Sequence, residues 1–193
     1  TSGDISPFVN IASIGANFMS CCESLSTINL SPLRNVTVIP HHFLLMCTSL
    51  SSIDLSPLQN VTEVGNHFLA RCTALSSIDL SPLGNATAVG AYFMWACTAL
   101  NSIDLGPLAE VTTIGEGFMM DCTALATADI GPLVSLKEVG KNFMKNCPAM
   151  KPAKRTQLMK AVADRFNGVI LVPPKPDAAR KVEVKAGGKR KRK

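Results

Sequence analysis

An acidic side chain recurs at a regular interval along much of this chain. This column, meaning the residues at one repeat position, comprises Asp4, Asn29, Asp54, Asp79, Asp104 and Asp129. The alternation in Ile53-Asp54-Leu55 is typical of a strand and predicts that the carboxylate faces solvent. An acidic stripe of this kind would bind a basic partner segment or a cation. The predicted partner-binding residues are Asp54, Asp79, Asp104 and Asp129.

Two other interpretations of the acidic column follow from the same residues. Each carboxylate could accept hydrogen bonds from nearby hydroxyl or backbone groups, such as those of Ser52 beside Asp54. A calcium site is less favoured, because oxygen ligands should surround the ion rather than line one side of it. The hydroxyl-rich flanks of the column favour the local hydrogen-bonding interpretation.

Cysteine follows the same interval. The thiols are Cys22, Cys47, Cys72, Cys97, Cys122 and Cys147, and one further cysteine, Cys21, lies outside this column. Free cysteine is often buried and behaves as a small apolar side chain. We therefore predict a buried, reduced ladder of inert thiols. Disulfides between neighbouring units are the alternative, because a spacing of about 4.8 Å lies within disulfide reach.

The remaining titratable residues do not form a recognisable active site. His41, His42 and His67 are the histidines, and the last two share a repeat position. We expect them to face outward while the thiols face inward, so no metal site is predicted. No nucleophile–base constellation, phosphate-binding glycine loop or paired carboxylate cleft is evident. The sequence predicts neither catalytic residues nor a cofactor.

Asparagine forms a third recurring feature. Asn35, Asn60 and Asn85 each begin an Asn-x-Ser/Thr sequence, as does Asn29, and such sequences accept N-linked glycans in secreted proteins. Glycosylation at Asn35, Asn60 and Asn85 is one hypothesis. The alternative is that the asparagine shapes the turn at this point.

The chain divides into two parts of opposite charge. Residues 1–150 carry a net charge of −6, whereas residues 151–193 carry +11. A basic cluster near the end would contact RNA, DNA or another anionic surface, or direct nuclear import. A solvated tail without a partner is the alternative. The predicted contact residues are Lys185, Lys189, Arg190, Lys191, Arg192 and Lys193.

The elements that position these side chains follow from the strict 25-residue period. Phenylalanine keeps the interval from Phe18 to Phe143 without insertion or deletion. Such a period predicts a solenoid in which each repeat is one coil. In the repeat that starts at Leu50, the pattern predicts a strand ended by Pro57 and a second strand over 61–64. A short helical turn over 66–74 completes the predicted coil.

This repeat resembles the BspA-like, or Treponema pallidum-type, leucine-rich repeats. The resemblance covers about residues 4–150. It rests on Leu50, Ile53, Leu55, Val61, Val64, Gly65, Phe68 and Cys72 and on their counterparts along the chain. It implies a right-handed, curved solenoid with parallel strands on one face and a role in binding proteins or other macromolecules. Two departures are the Ser-Pro-Leu insertion after the strand and the varied residue before the phenylalanine.

The predicted architecture is therefore an α/β repeat solenoid of about six units over residues 1–150, with repeats starting near 1, 25, 50, 75, 100 and 125. Residues 151–174 are predicted to form a helix and a short strand that cap the last coil. Residues 175–193 lack apolar content and are predicted to be a disordered basic tail.

Three functional hypotheses remain open. The first is a non-enzymatic module that binds another protein through its strand face. The second is a ribonucleoprotein component whose tail contacts RNA, and the third is a glycosylated cell-surface or secreted protein. Reduced thiols and the basic tail favour the inside of the cell, whereas the Asn-x-Ser/Thr sequences favour the outside. Because Thr1 is not a methionine, we expect a fragment or a processed product.

Overall fold

The computed structural model describes residues 1–151 and Lys160. These residues wind into six coils of a parallel β-solenoid, which confirms the predicted architecture and period. We number the coils 1 to 6, over residues 1–24, 25–49, 50–74, 75–99, 100–124 and 125–149. The predicted cap over 151–174 lies outside the described residues except for Lys151 and Lys160, and so does the whole predicted tail.

One five-stranded parallel sheet runs along the solenoid, with one two-residue strand from each of coils 2 to 6. The sheet pairs each strand with its equivalent in the next coil, so Ile39 lies beside Val64 and Val64 beside Val89. These residues face the core, and their exposed neighbours, such as Glu63, face outward. Its strands are β3 (Val38–Ile39), β4 (Glu63–Val64), β5 (Ala88–Val89), β7 (Thr113–Ile114) and β9 (Glu138–Val139).

The first predicted strand of each coil is only partly regular. In coils 1 and 2, β1 (Ser2–Gly3) pairs with β2 (Thr27–Ile28), and in coils 5 and 6, β6 (Ser102–Ile103) pairs with β8 (Thr127–Ala128). Coils 3 and 4 follow the same path without a strand there. The chain is bent immediately afterwards, which leaves room for only a short ladder.

A 3₁₀ helix follows this segment in the four middle coils. Proline occupies its second residue, where its fixed φ suits the helix and its missing N–H costs no hydrogen bond. The last residue is a leucine that no solvent reaches. The sequence therefore turns the chain here and anchors the turn in the core. The helices are Ser31–Leu33, Ser56–Leu58, Ser81–Leu83 and Gly106–Leu108.

The predicted short helix after each glycine is wrong. This segment is a run of turns in which every second residue has a positive φ, as at His67 (60°), Leu69 (51°) and Arg71 (61°). An α-helix needs negative φ at every residue, so the four-residue spacing of Phe68 and Cys72 arises from a different backbone. The same alternation recurs in every coil described.

Hydrogen bonds between coils explain this backbone. The N–H of His67 donates to Ala91 O at 2.8 Å in the next coil, and the N–H of Leu69 donates to Phe43 O at 3.0 Å in the preceding one. A helical turn would direct these groups along its own axis instead. Left-handed φ costs roughly 1–2 kcal/mol per residue, and the pairing of buried backbone groups with neighbouring coils offsets it.

The core is built from layers of equivalent side chains. Phe18 to Phe143 form one continuous stack, with neighbouring ring centroids 5.1–5.7 Å apart and ring planes within 18° of parallel. Phe43, Phe68, Phe93 and Phe118 are fully buried. Each ring therefore depends on the coils on both sides of it.

The recurring glycine keeps neighbouring backbones close. Gly65, Gly90, Gly115 and Gly140 each continue the sheet, as when the Gly90 N–H donates to Val64 O at 2.8 Å. A Cβ on Gly90 would lie 2.6 Å from Asn66 N. None of these four has a positive φ, so steric clearance selects glycine here. Pro40 replaces it in coil 2, where the five-stranded sheet begins.

We predict that Phe93→Ala lowers the free energy of unfolding by roughly 3–5 kcal/mol, because it removes a buried ring from the middle of the stack. Phe8→Ala is the matched control, since the Phe8 side chain is 61% exposed and should cost far less. Urea denaturation followed by circular dichroism measures both. Equal losses for the two variants would contradict the assignment of the phenylalanine column to the core.

A second prediction tests the left-handed backbone. Ala96 has a φ of 55°, so Ala96→Gly should raise the free energy of unfolding by up to about 1 kcal/mol through relief of strain. Ala99 in the same coil is not a left-handed residue, and Ala99→Gly should lower stability by roughly 0.5–1 kcal/mol. Destabilisation by both substitutions would contradict the alternating backbone.

Candidate interaction surfaces

The acidic column lies on the surface and takes part in local turns. In each coil, one side-chain oxygen of the column accepts the backbone N–H two residues later, as in Ser56 N–H to Asp54 Oδ1 at 2.8 Å. Asn29 Oδ1 accepts the Ser31 N–H in the same way, at 3.0 Å. The other Asp residues of the column form this bond at 2.8–2.9 Å.

This arrangement is an Asx-turn, in which the side chain of Asp or Asn binds the backbone ahead of it. It bears out the interpretation of the column as local hydrogen-bond acceptors, and it identifies the N–H two residues later as a donor in every coil. The hydroxyl and the N–H of Ser81 lower the pKa of Asp79. The four predicted binding residues remain exposed, and their role in binding a partner stays a prediction.

The cysteine column faces the interior, as predicted. Five thiols, from Cys47 to Cys147, are buried, whereas Cys22 in coil 1 is half-buried because no described coil covers it. Each buried thiol donates to a carbonyl of the preceding coil, for example Cys72 Sγ to Leu44 O at 3.2 Å. The acceptor residue has a left-handed φ in every case. Each thiol thus supplies a hydrogen-bond donor to a backbone carbonyl oxygen inside the core.

Burial also makes these thiols weak acids. It raises the pKa of Cys47 to about 11 and the pKa values of Cys72 and Cys122 to about 12, from an ordinary value of 9.0. The thiolate is the reactive form of cysteine, so burial disfavours reaction at Cys47, Cys72 and Cys122. All seven cysteines are free.

The histidines form the start of an aromatic stack on the turn side of the coils, meaning the surface of the left-handed segments. The ring centroids of His42 and His67 lie 4.9 Å apart, and Tyr92 stacks on His67 at the same distance. Gly117 follows in this column, and a Cβ there would lie 2.6 Å from Tyr92 Cδ1. Among the described residues, no group of His, Cys, Asp or Glu is placed to hold a metal ion.

Trp95 extends this stack, and the guanidinium group of Arg71 lies over its ring. Its ring meets Tyr92 edge-on at 5.8 Å, and the Arg71 guanidinium carbon lies 5.6 Å from its centroid. We name His42, His67, Arg71, Tyr92 and Trp95 the aromatic patch. Sequence reasoning missed this cluster, although the chain contains one Trp and one Tyr and both depart from the repeat.

Carboxylates of the next coil position the two large rings. Trp95 Nε1–H donates to Asp121 Oδ2 at 2.9 Å, and Tyr92 Oη–H donates to Glu116 Oε1 at 3.3 Å. Partial burial, reinforced by the Glu116 charge, raises the pKa of Tyr92. Asn146 Nδ2–H in turn donates to Asp121 Oδ1 at 2.8 Å. Hydrogen bonds between coils therefore fix the orientations of Tyr92 and Trp95.

A shallow groove lies over the five-stranded sheet. It has a volume of about 970 Å³ and crosses several coils. Its lining includes small residues such as Gly90 and Ala91, together with Val38, whose side chain is 48% exposed. The residues that line the groove do not include any of the acidic column, and most of them are apolar or glycine.

The predicted glycosylation residues are exposed, and two of them bridge neighbouring coils. Asn60 Nδ2–H donates to Arg34 O at 2.8 Å, and Asn85 Nδ2–H donates to Gln59 O at 2.9 Å. Asn35 is exposed as well. A structural role between coils thus accounts for the asparagine at two of these positions, and glycosylation stays a prediction. The predicted nucleic-acid contacts, Lys185 and 189–193, lie outside the described residues.

The parallel strands, the repeated coils and the layered apolar core define a leucine-rich-repeat solenoid. The chain belongs to the BspA-type leucine-rich repeat family. The family's sequence pattern, described as a BspA type leucine rich repeat region with six copies, matches residues 4–82 and 57–164. Repeats of this class are typically protein-interaction modules. This confirms the resemblance seen in the sequence.

Two solved structures are similar to this chain. The crystal structure of the Treponema pallidum leucine-rich repeat protein TpLRR is 23% identical, covers 78% of this chain and 76% of its own, and has a TM-score of 0.56. The functional domain of InlJ from Listeria monocytogenes, which includes a cysteine ladder, is 15% identical over 61% of this chain and 38% of its own, with a TM-score of 0.21. The comparison with curated proteins found no match.

The part of the chain that the structure describes contains no helix that is long and apolar enough to cross a membrane.

We predict that thiol reagents modify Cys21 rapidly in the folded protein and leave the five buried thiols unmodified, because only Cys21 is exposed. Raising the pH from 8 to 10 should not change this pattern. The thiolates of Cys72 and Cys122 form only near pH 12 while the protein is folded. Alkylation followed by mass spectrometry measures the sites. Rapid alkylation of Cys97 in native protein would contradict the inert ladder.

Proposed function

We propose that this protein is a non-enzymatic protein-interaction module that binds a basic segment of another protein through its exposed acidic column. The observation that carries the proposal is the exposed column of Asp54, Asp79, Asp104 and Asp129. The family supports an interaction role, and the negative charge of the column indicates a positively charged partner.

The Asx-turns support this proposal because they hold each carboxylate in a defined position. One oxygen of Asp54 or Asp104 is engaged by the backbone, while the side chain remains exposed to a ligand. A partner would therefore meet charges that are already oriented, which reduces the entropy lost on binding. The net charge of −6 over residues 1–150 would also steer a basic partner toward this part of the chain.

A second candidate function is RNA binding by the basic end of the chain. The charge of +11 over residues 151–193 favours it, because phosphate contacts by Lys and Arg supply most non-specific affinity for nucleic acid. The same segment could instead occupy the acidic column of its own solenoid. These two possibilities predict different effects of deleting the basic residues.

The interaction proposal is tested by replacing the four predicted binding residues, Asp54, Asp79, Asp104 and Asp129, with Asn. Asn29 forms the same turn, so the substitution removes charge and preserves the backbone. We expect binding of decalysine to weaken about tenfold or more, at roughly 0.5–1 kcal/mol per exposed charge pair. Isothermal titration calorimetry measures the affinity, and the melting temperature should stay nearly unchanged.

The matched control removes four charges elsewhere, by replacing Glu23, Glu63, Glu110 and Glu138 with Gln. If this variant loses as much affinity as the Asn variant, the column is not the binding site. A chain without residues 175–193 provides the second arm. Higher affinity of that chain for decalysine would support occupation of the column by the tail. Loss of binding to a poly-U RNA would support the RNA function, and failure of both proteins to bind RNA would exclude it.

A further inference from the structure

We propose that the aromatic patch is a second interaction surface, which binds a carboxylate-bearing segment of a protein partner through Arg71 stacked on Trp95. This surface lies on the turn side of coils 2 to 4 and does not include the acidic column. The proposal is independent of the basic partner suggested for the acidic column.

The repeat itself does not require the residues of this patch. Ala70 and Met120 occupy the position of Trp95 in the neighbouring coils, and Met46 and Ala96 occupy that of Arg71. The backbone has the same left-handed φ at Met46, Arg71 and Ala96. Small or apolar side chains therefore satisfy the coil at these positions. The coincidence of Tyr, Trp and Arg on adjacent coils is a departure from the repeat that packing does not explain.

The chemistry of the patch matches that of binding hot spots. Tyr, Trp and Arg are the side chains most enriched where single residues dominate an interface. Trp95 and Tyr92 are half-buried and held by Asp121 and Glu116. Their rings are therefore fixed before a partner arrives, so little side-chain entropy is lost on binding.

Arg71 determines the charge of the expected partner. Its guanidinium lies over the Trp95 ring at 5.6 Å, and its side chain is exposed. Asp121, the carboxylate that holds Trp95, is also engaged by Asn146. A stacked guanidinium keeps its in-plane N–H groups available, and their geometry fits both oxygens of a carboxylate. The first five coils, residues 1–124, contain two arginines, Arg34 and Arg71, and no lysine.

A protein carboxylate fits this site better than a nucleic acid does. One arginine neutralises one phosphate, whereas nucleic-acid affinity depends on many such contacts. Glu116 and Asp121 lie beside the rings and repel every negative charge of a partner, so they disfavour a dense row of phosphates more than one carboxylate. A single acidic side chain next to an apolar or aromatic residue would meet Arg71 and the rings together.

The test uses Trp95 as its own reporter, because it is the one tryptophan of the chain. The full chain is titrated with a blocked five-residue peptide that has one glutamate next to a phenylalanine. We expect a saturable change in tryptophan fluorescence. R71Q should weaken binding about tenfold, as the loss of charge-assisted hydrogen bonds implies. R34Q, which removes the same charge elsewhere, should bind as the unaltered chain does.

Several results would overturn the proposal. The first is equal binding of a control peptide that has glutamine in place of glutamate. The second is an R71Q variant that binds the peptide with unchanged affinity. The third is an Arg71-dependent fluorescence response to poly-U RNA without a response to the peptide. Melting temperatures establish whether each variant is folded. If R71Q does not fold, R71K replaces it, because lysine keeps the charge and loses the planar fork. R71K should then retain only part of the affinity of the unaltered chain, and full retention would contradict the bidentate contact.

Discussion

Pairing of backbone groups between successive coils is the constraint on which the rest of this structure depends. A short coil with two-residue strands has few hydrogen bonds of its own, so its N–H and C=O groups must bond to the coils before and after it. Gly90 shows the consequence, because the neighbouring backbone leaves no room for a Cβ. His67 and Leu69 show another, since their left-handed φ directs alternate N–H groups to opposite neighbours. The strict period follows, because an insertion would shift every one of these pairs.

The same constraint gives the recurring core residues more than a packing role. The phenylalanine rings fill the space between layers, and the thiols satisfy carbonyls of the left-handed residues. Cys97 Sγ donates to Leu69 O at 3.2 Å, and Cys122 Sγ donates to Met94 O at the same distance. Cysteine suits this position because it is small and apolar and still carries a weak donor. The ladder is thus a structural element whose chemistry is suppressed by burial.

The surface divides into side chains that the repeat requires and side chains that it does not. The acidic column belongs to both groups, because its turn needs an Asx residue but Asn29 shows that the negative charge is dispensable. Retention of charge at Asp54, Asp79, Asp104 and Asp129 is therefore not explained by the turn. The aromatic patch belongs wholly to the second group, since neighbouring coils fold with Ala or Met in place of Trp95 and Arg71. In a solenoid the two groups can be told apart, because equivalent positions in neighbouring coils show which side chains the backbone accepts.

The sequence by itself determined the solenoid, its period, the buried columns and the exposed face of the acidic column. These features depend on side-chain polarity and spacing, which are visible along the chain. The turn segment and the aromatic patch were decided by the tertiary structure. Phe68 and Cys72 have the spacing of a helical turn, and only bonds to neighbouring coils reveal the left-handed alternation. Arg71 and Asp121 share one repeat position two coils apart, and Trp95 lies one position earlier in the coil between them. The contacts of Trp95 with both depend on how side chains lean across coils. That lean is set by packing between layers, which no single repeat contains.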